Sequence, residues 1–330
     1  MILSIFLLTI VPGLCLANIG QWMQFKDTYG KIYDTFWDEQ QRYEIFKENL
    51  KKIEEHNAKY HHGQETHHIG ITQFADITHE EFRKILGRQR RSKPAASAAI
   101  LETTWIEATT KKIPDEWDWR HEGAVLDIKD QANCGSCWAF SATGAMEGQN
   151  AIHHKIRIPL SEQQLLDCSG EYGNGDCIAG GDEKASFAYV KDHGIETEAQ
   201  YPYTGNKTKC MFDESKTLLN IKGYKELPGN EEALKQAIAS IGPISVAIDA
   251  DNIQLYVGGI YTTKCKTIDI NHAVLAVGYG SQSTKNGTID YWIIKNSWGK
   301  TWGEQGYIRF QRNADNLCGI GLESSYPTLK

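Results

Sequence analysis

Apolar residues follow two patterns along this 330-residue chain, and each pattern predicts one kind of secondary structure. In the first two thirds they recur at intervals of three and four, the spacing of an amphipathic helix. From about residue 240 onward they form unbroken runs, which are typical of buried strands. The predicted helices are 37–57, the segment after Trp138, 160–166 and 185–191, and the predicted strands are 243–248, 272–280 and 291–296. Helices followed by strands predict the α+β class.

The first seventeen residues form an apolar run with a Pro12-Gly13 break and small residues at Cys15 and Ala17. This pattern predicts a secretory signal peptide that is removed before Asn18, although no basic residue precedes the run. The run is too short to remain as a membrane span, and no later segment approaches spanning length. We therefore expect entry into the secretory pathway, no membrane span, and a lysosomal or secreted destination, the latter extracellular or in a digestive lumen.

Charge excludes some partners. The formal net charge is −7, and it divides unevenly, with about +1 on residues 1–112 and about −8 on the rest. An acidic chain lacks the cationic surface that binds nucleic acid or anionic membranes. Peptides, and cationic peptides in particular, are better candidate partners.

Two cysteines, Cys134 and Cys137, lie three apart where a helix is predicted to begin. The first turn of a helix offers unpaired N–H groups and the positive end of the dipole, which favour a thiolate at Cys137. A Cys-x-x-Cys pair is also compatible with a redox site or with half of a zinc site. Because the chain has no second Cys-x-x-Cys pair, we favour a nucleophilic Cys137.

A cysteine nucleophile requires a base, a group that orients the base, and donors for an oxyanion. His272 heads a predicted buried strand, and Asn296 ends the next one, where its amide oxygen can fix the imidazole tautomer. Trp298 follows closely and can keep water away from that hydrogen bond. Upstream, the side-chain amide of Gln131 can join the backbone N–H of Cys137 in an oxyanion hole.

The segments Gln131-Ala-Asn-Cys-Gly-Ser-Cys-Trp138, 271–280 and 291–299 resemble those of the papain and cathepsin L family of cysteine peptidases. The resemblance implies a two-lobed fold, in which a helical lobe carries Cys137 and a β-rich, barrel-like lobe carries His272 and Asn296. It implies peptide-bond hydrolysis without a metal or another cofactor. Ala132 replaces a usual glycine, which should crowd the loop slightly and leave the chemistry intact.

The helix predicted at 37–57 also resembles a family motif. Its Arg, Phe, Asn, Ile and Asn residues at 42, 46, 49, 53 and 57 match the interwoven motif of cathepsin L-type propeptides, with Asp38 in place of a glutamate. Residues 70–76 resemble the second propeptide motif, with Thr72 in place of an asparagine. The resemblance implies that residues 18–112 form an inhibitory propeptide and residues 113–330 the mature peptidase domain.

The end of this propeptide has the composition of an exposed linker over residues 87–112. Its basic run at 88–91 suggests a convertase site or a solvated basic patch. Six of the eleven histidines also lie in the propeptide. Their protonation on acidification is one hypothesis for release of the propeptide, and exposed loop histidines or a metal-binding cluster are the alternatives.

Removal of Cys15 leaves seven cysteines, so that six can pair and one stays a thiol. The residues alone leave all fifteen pairings of six cysteines open. The family resemblance implies Cys134–Cys177, Cys168–Cys210 and Cys265–Cys318.

The resemblance also implies a set of substrate-binding residues, namely Gly135, Gly180, Gly181, Asp182, Glu183, Trp298, Trp302 and Glu323. Between Cys177 and the glycine pair the chain is one residue longer than usual. We expect Glu323 to lie on the floor of the pocket for the second side chain before the cut, where its carboxylate should admit Arg or Lys as well as hydrophobic residues. Compared with a purely apolar floor, the carboxylate should favour a bound cationic side chain by about 1–3 kcal/mol. The alternative is that Glu323 turns outward.

Other expectations concern modification and partners. Asn206 and Asn286 stand in glycosylation sequons. Peptide and protein substrates, the chain's own propeptide and cystatin-type inhibitors are the expected partners, and a monomer is the expected state. A non-catalytic homologue that binds or inhibits is the alternative function, and the intact set of Gln131, Cys137, His272 and Asn296 argues against it.

Overall fold

A computed structural model of the chain describes residues 12–87, 112–265, 269–285 and 287–329. Several sequence predictions therefore lie outside the described residues. These are most of the signal peptide, the basic run at 88–91, nearly all of the linker and the sequon asparagine Asn286.

The amino-terminal part of the chain is helical. It consists of α1 (Pro12–Tyr29), α2 (Phe36–His61), the short strand β1 (His67–Ile69) and α3 (His79–Ile85). Helix α2 starts where Thr35 accepts a hydrogen bond from the N–H of Asp38, and it runs longer at its carboxyl end than predicted. Its apolar stripe buries Phe46 against Trp22 and Phe25 of α1, with ring centroids 5.2 and 5.0 Å apart. This aromatic contact holds α1 and α2 together.

The polar residues of the propeptide motif tie α2 to the segment that follows it. Nδ2 of Asn49 donates to the carbonyls of Ala75 and Ile77, at 2.9 and 3.2 Å. Asn57 exchanges two hydrogen bonds with the backbone of Ile69. These bonds fix the course of residues 69–77 along the helix.

The rest of the chain carries the remaining helices and strands. The helices are α4 (Cys137–His154), α5 (Glu162–Cys168), α6 (Glu183–His193) and α7 (Glu231–Ser240). The strands are β2 (Trp117–Asp118), β3 (Ile221–Glu226), β4 (Ile244–Ile248), β5 (Tyr256–Tyr261), β6 (His272–Thr284), β7 (Gly287–Lys295), β8 (Tyr307–Gln311) and β9 (Ser324–Leu329). Helices precede most of the strands, and the α+β class is confirmed.

The strands form one sheet in the order β1-β5-β8-β7-β6-β4-β9-β3, with β2 paired to β6. Over the described ranges the sheet is open, with β1 and β3 at its ends, and the expected barrel-like lobe is therefore not a closed barrel. Strand β1 comes from the helical amino-terminal part and pairs with β5, which joins the two parts of the chain.

Two hydrophobic clusters form the core of the larger part. One surrounds α4, and the other lies among α7 and strands β4 to β8. Helix α4 approaches the sheet closely at two glycines. A Cβ at Gly148 would lie 2.8 Å from the ring of Pro243, and one at Gly144 would lie 3.0 Å from Leu275. Glycine at these positions lets α4 pack directly on the strands that carry the second half of the site.

The structure contains the disulfides Cys134–Cys177, Cys168–Cys210 and Cys265–Cys318. The first joins the loop before α4 to the loop before α6. Within the described parts of the chain, no helix is both long enough and apolar enough to cross a membrane.

Candidate active site

Cys137 is the first residue of α4 and is buried. It is the one described cysteine outside a disulfide. The backbone N–H of Ala273 lies 3.4 Å from its sulfur, which brings the start of β6 against the start of α4. The sulfur thus lies at the positive end of a helix and beside a second N–H group, and both favour a thiolate.

His272, the residue before that N–H group, is fully buried at the start of β6. Its Nε2 donates to Oδ1 of Asn296 at 2.8 Å, since an amide oxygen only accepts. The same Oδ1 accepts from the N–H of Ser297, which holds the amide in place. In this tautomer Nδ1 carries the lone pair, and it has no hydrogen-bond partner within the described structure. The imidazole is therefore oriented to take a proton at Nδ1.

Trp298 covers the imidazole. The two rings are stacked, with centroids 4.6 Å apart and an interplanar angle of 24°. Trp302 meets Trp298 edge-on at 4.8 Å, and both indoles are fully buried. Trp298 therefore shields the hydrogen bond between His272 and Asn296, whereas Trp302 packs in the core behind it.

Gln131 lies beside these groups and is buried. Its Oε1 accepts a hydrogen bond from Ser297 at 2.6 Å, which fixes the orientation of the amide. Its Nε2 donates to the carbonyls of Cys134 and Ile85, at 2.9 and 3.2 Å. Ile85 belongs to the amino-terminal part, so a backbone carbonyl from that part occupies a donor of Gln131.

The segment after Ile85 continues across the cleft. The carbonyl of Gly87 accepts from the N–H of Gly181 at 3.0 Å, so that one member of the predicted glycine pair binds the backbone of the amino-terminal part. Gly87 lies directly against Gly135, and a Cβ on Gly87 would fall 1.7 Å from the Gly135 carbonyl oxygen. Any side chain at residue 87 would therefore collide with this part of the cleft.

The same amino-terminal part holds the opposite side of the cleft through aromatic contacts. Phe74 and Phe82 each meet the indole of Trp298 edge-on at 5.3 Å. Nε2 of Gln73 donates to the Trp298 carbonyl at 2.6 Å. Trp298, predicted to bind substrate, is thus covered by residues of the amino-terminal part.

The predicted pocket carboxylates take different positions. Asp182 is buried and caps α6, because its side chain accepts from the N–H of Lys184 at 2.8 Å. Glu183 is buried at the start of α6, and Glu323 is exposed. Both glutamates line a small cavity that also includes Lys184, Ser324 and Ser325.

The longer loop before the glycine pair is closed by Asp176. Its carboxylate accepts from the N–H groups of Ile178 and Ala179, at 2.9 and 2.8 Å, and its carbonyl accepts from Gly180. Gly180 has a φ of +69°, which glycine adopts without strain. Ala132, by contrast, holds a φ of +52° in the place of the usual glycine, a conformation that costs an alanine about 1–2 kcal/mol.

Comparison with known proteins agrees with this geometry. Residues 113–328 match the model of the papain family cysteine proteases. The chain belongs to the papain family. Residues 22–82 match the cathepsin propeptide inhibitor domain (I29), so the protease carries its own propeptide as an inhibitor.

Relatives of this papain-family protease are cathepsin L-like over nearly the whole chain. A "Cathepsin L-like proteinase" of Phaedon cochleariae is 42% identical over 310 residues, 93% of each chain. "Digestive cysteine proteinase 3" of Homarus americanus is 42% identical over 96% of this chain and 97% of its own. The solved structure of digestive procathepsin L 3 from the Tenebrio molitor larval midgut superposes with a TM-score of 0.86, at 43% identity and covering 94% of this chain and 99% of that one. The predicted resemblance to cathepsin L-type zymogens is therefore confirmed.

Sequence reasoning missed several groups of this papain-family site. Ser297 orients both Asn296 and Gln131, and Gln73, Phe82 and Gly87 belong to the inhibitory contacts. Only the predicted second propeptide motif gave a signal for Gln73. A lone serine, phenylalanine or glycine has no pattern in one sequence that marks such a role.

Burial lowers the pKa of His272 to about 4, and the hydrogen bond to Asn296 opposes this effect only in part. A lowered histidine pKa means that the folded state binds fewer protons than the unfolded state. The pKa shift of His272 therefore has no effect on the free energy of unfolding above about pH 6.5. It lowers this free energy as the pH drops towards 4, by up to about 3 kcal/mol. We expect the unfolding midpoint of the Cys137→Ser zymogen to fall between pH 6.5 and pH 4. Adding His272→Gln to this variant should make the midpoint less dependent on pH. Unfolding midpoints at pH 7 to 4 test this.

The matched control is His153→Gln, which removes an exposed histidine in the last turn of α4. It should leave the pH dependence of the midpoint unchanged. Equal slopes for His272→Gln and its parent would contradict the prediction.

Proposed function

We propose that the chain is a cysteine endopeptidase zymogen in which Cys137 is the nucleophile and His272 the general base and then acid. The observation that carries this proposal is the oriented imidazole: Nε2 is held by Asn296, and the next backbone N–H lies on the sulfur of Cys137. Asn296 is the orienting group. Gln131 and the backbone N–H of Cys137 form the oxyanion hole.

The reaction follows from these roles. The Cys137 thiol gives its proton to Nδ1 of His272, and the thiolate attacks the carbonyl carbon of the peptide bond. The carbonyl oxygen becomes an oxyanion that accepts hydrogen bonds from Gln131 Nε2 and the Cys137 N–H. The imidazolium then protonates the leaving amine, and an acyl-enzyme remains. Water, deprotonated by His272, attacks the acyl carbon and releases the acid and the thiol.

Labelling tests this function. After acid treatment, the full chain should react covalently with an epoxysuccinyl thiol reagent and hydrolyse a Phe-Arg coumarin substrate. Cys137→Ala should lose both, whereas Ser136→Ala, an adjacent change in the same loop, should keep labelling. Acid-treated wild type that takes no label and cuts no substrate would instead support the non-catalytic homologue that binds or inhibits.

Maturation follows from the same organisation. We infer that residues 1–17 are removed as a signal peptide, that residues 18–112 form the propeptide, and that the mature chain starts near Ile113. The family matches at 22–82 and 113–328 support this division. A lysosomal or secreted destination, a monomeric state and inhibition by cystatin-type proteins remain expectations from the sequence analysis. Asn206 is exposed, as a glycosylated asparagine must be.

The pocket supports acceptance of Arg or Lys at the second position before the cut. Burial lowers the pKa of Lys184, but Asp182, Glu226 and Glu323 outweigh this effect and raise it. The region thus holds more negative than positive charge, and Glu323 lies at its exposed side. A cationic side chain of the substrate would meet this surplus of carboxylates.

Glu323→Gln should lower kcat/KM for an Arg-Arg coumarin substrate relative to a Phe-Arg substrate. Because Glu323 is exposed and Lys184 lies near it, we expect about 1 kcal/mol, roughly a fivefold change in the ratio. The two substrates differ only at the second position, so the ratio isolates this pocket. Glu122→Gln, at a distant exposed carboxylate, is the control. An unchanged ratio would mean that Glu323 faces away from the substrate.

A further inference from the structure

A cluster of metal-binding side chains lies in the propeptide, away from the active site. It consists of His56 on α2, Glu65 in the following loop and His67 at the start of β1. One potential ligand atom from each residue lies within 4.8 Å of the other two. A tetrahedral zinc ion with bonds of 2.0–2.1 Å holds its ligand atoms about 3.4 Å apart. Small side-chain movements would therefore close the three groups around one ion.

The buried histidine of this cluster points to a ligand independently. His67 is 3% exposed, and its Nδ1 has no hydrogen-bond partner in the described structure. A buried polar atom without a partner costs free energy, so such atoms are uncommon in folded proteins. A bound cation would give this ring nitrogen a partner.

The other two residues have the accessibility and surroundings of ligands. His56 and Glu65 are partly exposed, which leaves an entry path for an ion. Nε2 of His56 donates to the carbonyl of His67 at 3.0 Å, and this bond holds the two histidines together. Histidine ligands commonly donate a ring N–H to a backbone carbonyl. Among the ion pairs of the described residues, none uses Glu65.

We propose that His56, Glu65 and His67 form a binding site for a transition-metal cation such as Zn²⁺, which locks the propeptide onto the peptidase domain. Two imidazoles and one carboxylate suit zinc and its neighbours, whereas Ca²⁺ and Mg²⁺ prefer oxygen ligands alone. A water molecule would complete a tetrahedral site.

The location of the site gives it a regulatory consequence. His67 opens β1, which pairs with β5 of the peptidase domain, and its ring packs against Tyr261 at 4.8 Å. The neighbouring Thr66 donates to the carbonyl of Ile260 at 2.6 Å. A metal that joins α2 to β1 would therefore hold β1 in the position in which it extends the sheet of the peptidase domain. Binding to the docked state alone stabilises that state.

Zinc titration of the full-length Cys137→Ser zymogen tests the proposal, since this variant lacks the reactive thiol and cannot process itself. Calorimetry with ZnCl₂ should show one site, and bound Co²⁺ should give the visible absorption of a tetrahedral complex. His56→Gln and Glu65→Gln should each weaken binding roughly tenfold or more. The double variant His61→Gln, His62→Gln changes two exposed histidines at the end of the same helix and should bind as the parent does.

A thermal-shift measurement separates ligation from folding. Zn²⁺ should raise the unfolding midpoint of the Cys137→Ser zymogen and not that of its Glu65→Gln form, while the two midpoints in EDTA stay similar. With the thiol intact, Zn²⁺ should slow self-processing of the wild type more than that of Glu65→Gln. Equal zinc affinity in the parent and both ligand variants, or loss of binding only in the His61, His62 variant, would overturn the proposal.

Discussion

Phe82→Ala should allow the active site of the intact zymogen to react with a covalent label. Phe82 is fully buried between Phe74 and Trp298, with ring centroids 5.3 Å from each. Truncation of a buried phenylalanine costs about 3–5 kcal/mol, and here the loss falls on the contact that covers the catalytic side of the cleft. We expect the rate at which the intact zymogen takes up an epoxysuccinyl label at neutral pH to rise by roughly two to four orders of magnitude.

Phe36→Ala is the matched control. Phe36 starts α2 in the same propeptide but is 70% exposed, so its removal should leave the labelling rate unchanged. An unfolded peptidase domain does not react with a mechanism-based reagent, and the label therefore reports propeptide release rather than misfolding. A Phe82→Ala zymogen that resists the label as well as the wild type does would show that other contacts suffice for inhibition.

The geometry shows how the bound propeptide blocks the cleft. It reaches the cleft through backbone groups on one side and aromatic side chains on the other. Ile85 contributes a carbonyl to the amide of Gln131, and Gly87 contributes one to Gly181. Because Gly87 has no side chain, this segment can lie directly against the backbone of Gly135. Burial also holds the pKa of His272 low, which disfavours the imidazolium needed for an ion pair with a thiolate.

The sequence was sufficient for the parts of the site that carry a local pattern. Cys137 could be placed at a helix start and His272 and Asn296 at strand ends, because the period of apolar residues marks those boundaries. The long helix α2 could be placed for the same reason. Periodicity does not encode distances between segments, so the stacking of Trp298 on His272 and the seating of Phe82 on Trp298 could not be derived from it.

The cavity around Glu323 shows a different limit. The family resemblance implied that a carboxylate stands there, but the pairing of charges depends on Lys184, which is 139 positions earlier in the sequence. The same limit applies to the cluster of His56, Glu65 and His67. The histidine count gave a reason to consider metal binding, but only the packing of β1 against α2 selects these residues.

The buried ionic cluster under the active site is the second place where a single change should have a large effect. Lys129 donates to Glu147 and Glu162 at 2.7 and 2.6 Å and to the carbonyl of Leu160 at 3.1 Å. Both glutamates are buried, and Thr143 also donates to Glu162. The Lys129 ammonium is therefore in direct contact with two buried carboxylates.

Lys129→Met should cost about 3–5 kcal/mol of folding stability at pH 7.5, because it removes the cation and leaves the carboxylates buried. Urea denaturation of the Cys137→Ser zymogen measures this. Lys300→Met is the control, since Lys300 pairs with Asp127 at 3.5 Å on the surface, where it is 63% exposed, and should cost at most about 1 kcal/mol.

The pH dependence of that loss identifies its cause. Burial already raises the pKa of Glu162 to about 7, Lys129 opposes this and Glu147 adds to it. Without Lys129 the folded-state pKa of Glu162 should rise further above its unfolded value near 4.5. A raised carboxyl pKa means that the folded state binds more protons than the unfolded state, so stability falls as the pH rises above 4.5. The cost of Lys129→Met should therefore be smallest near pH 4.5 and grow towards pH 7.5, whereas a cost that is equal at both values would assign it to lost packing of the lysine side chain instead.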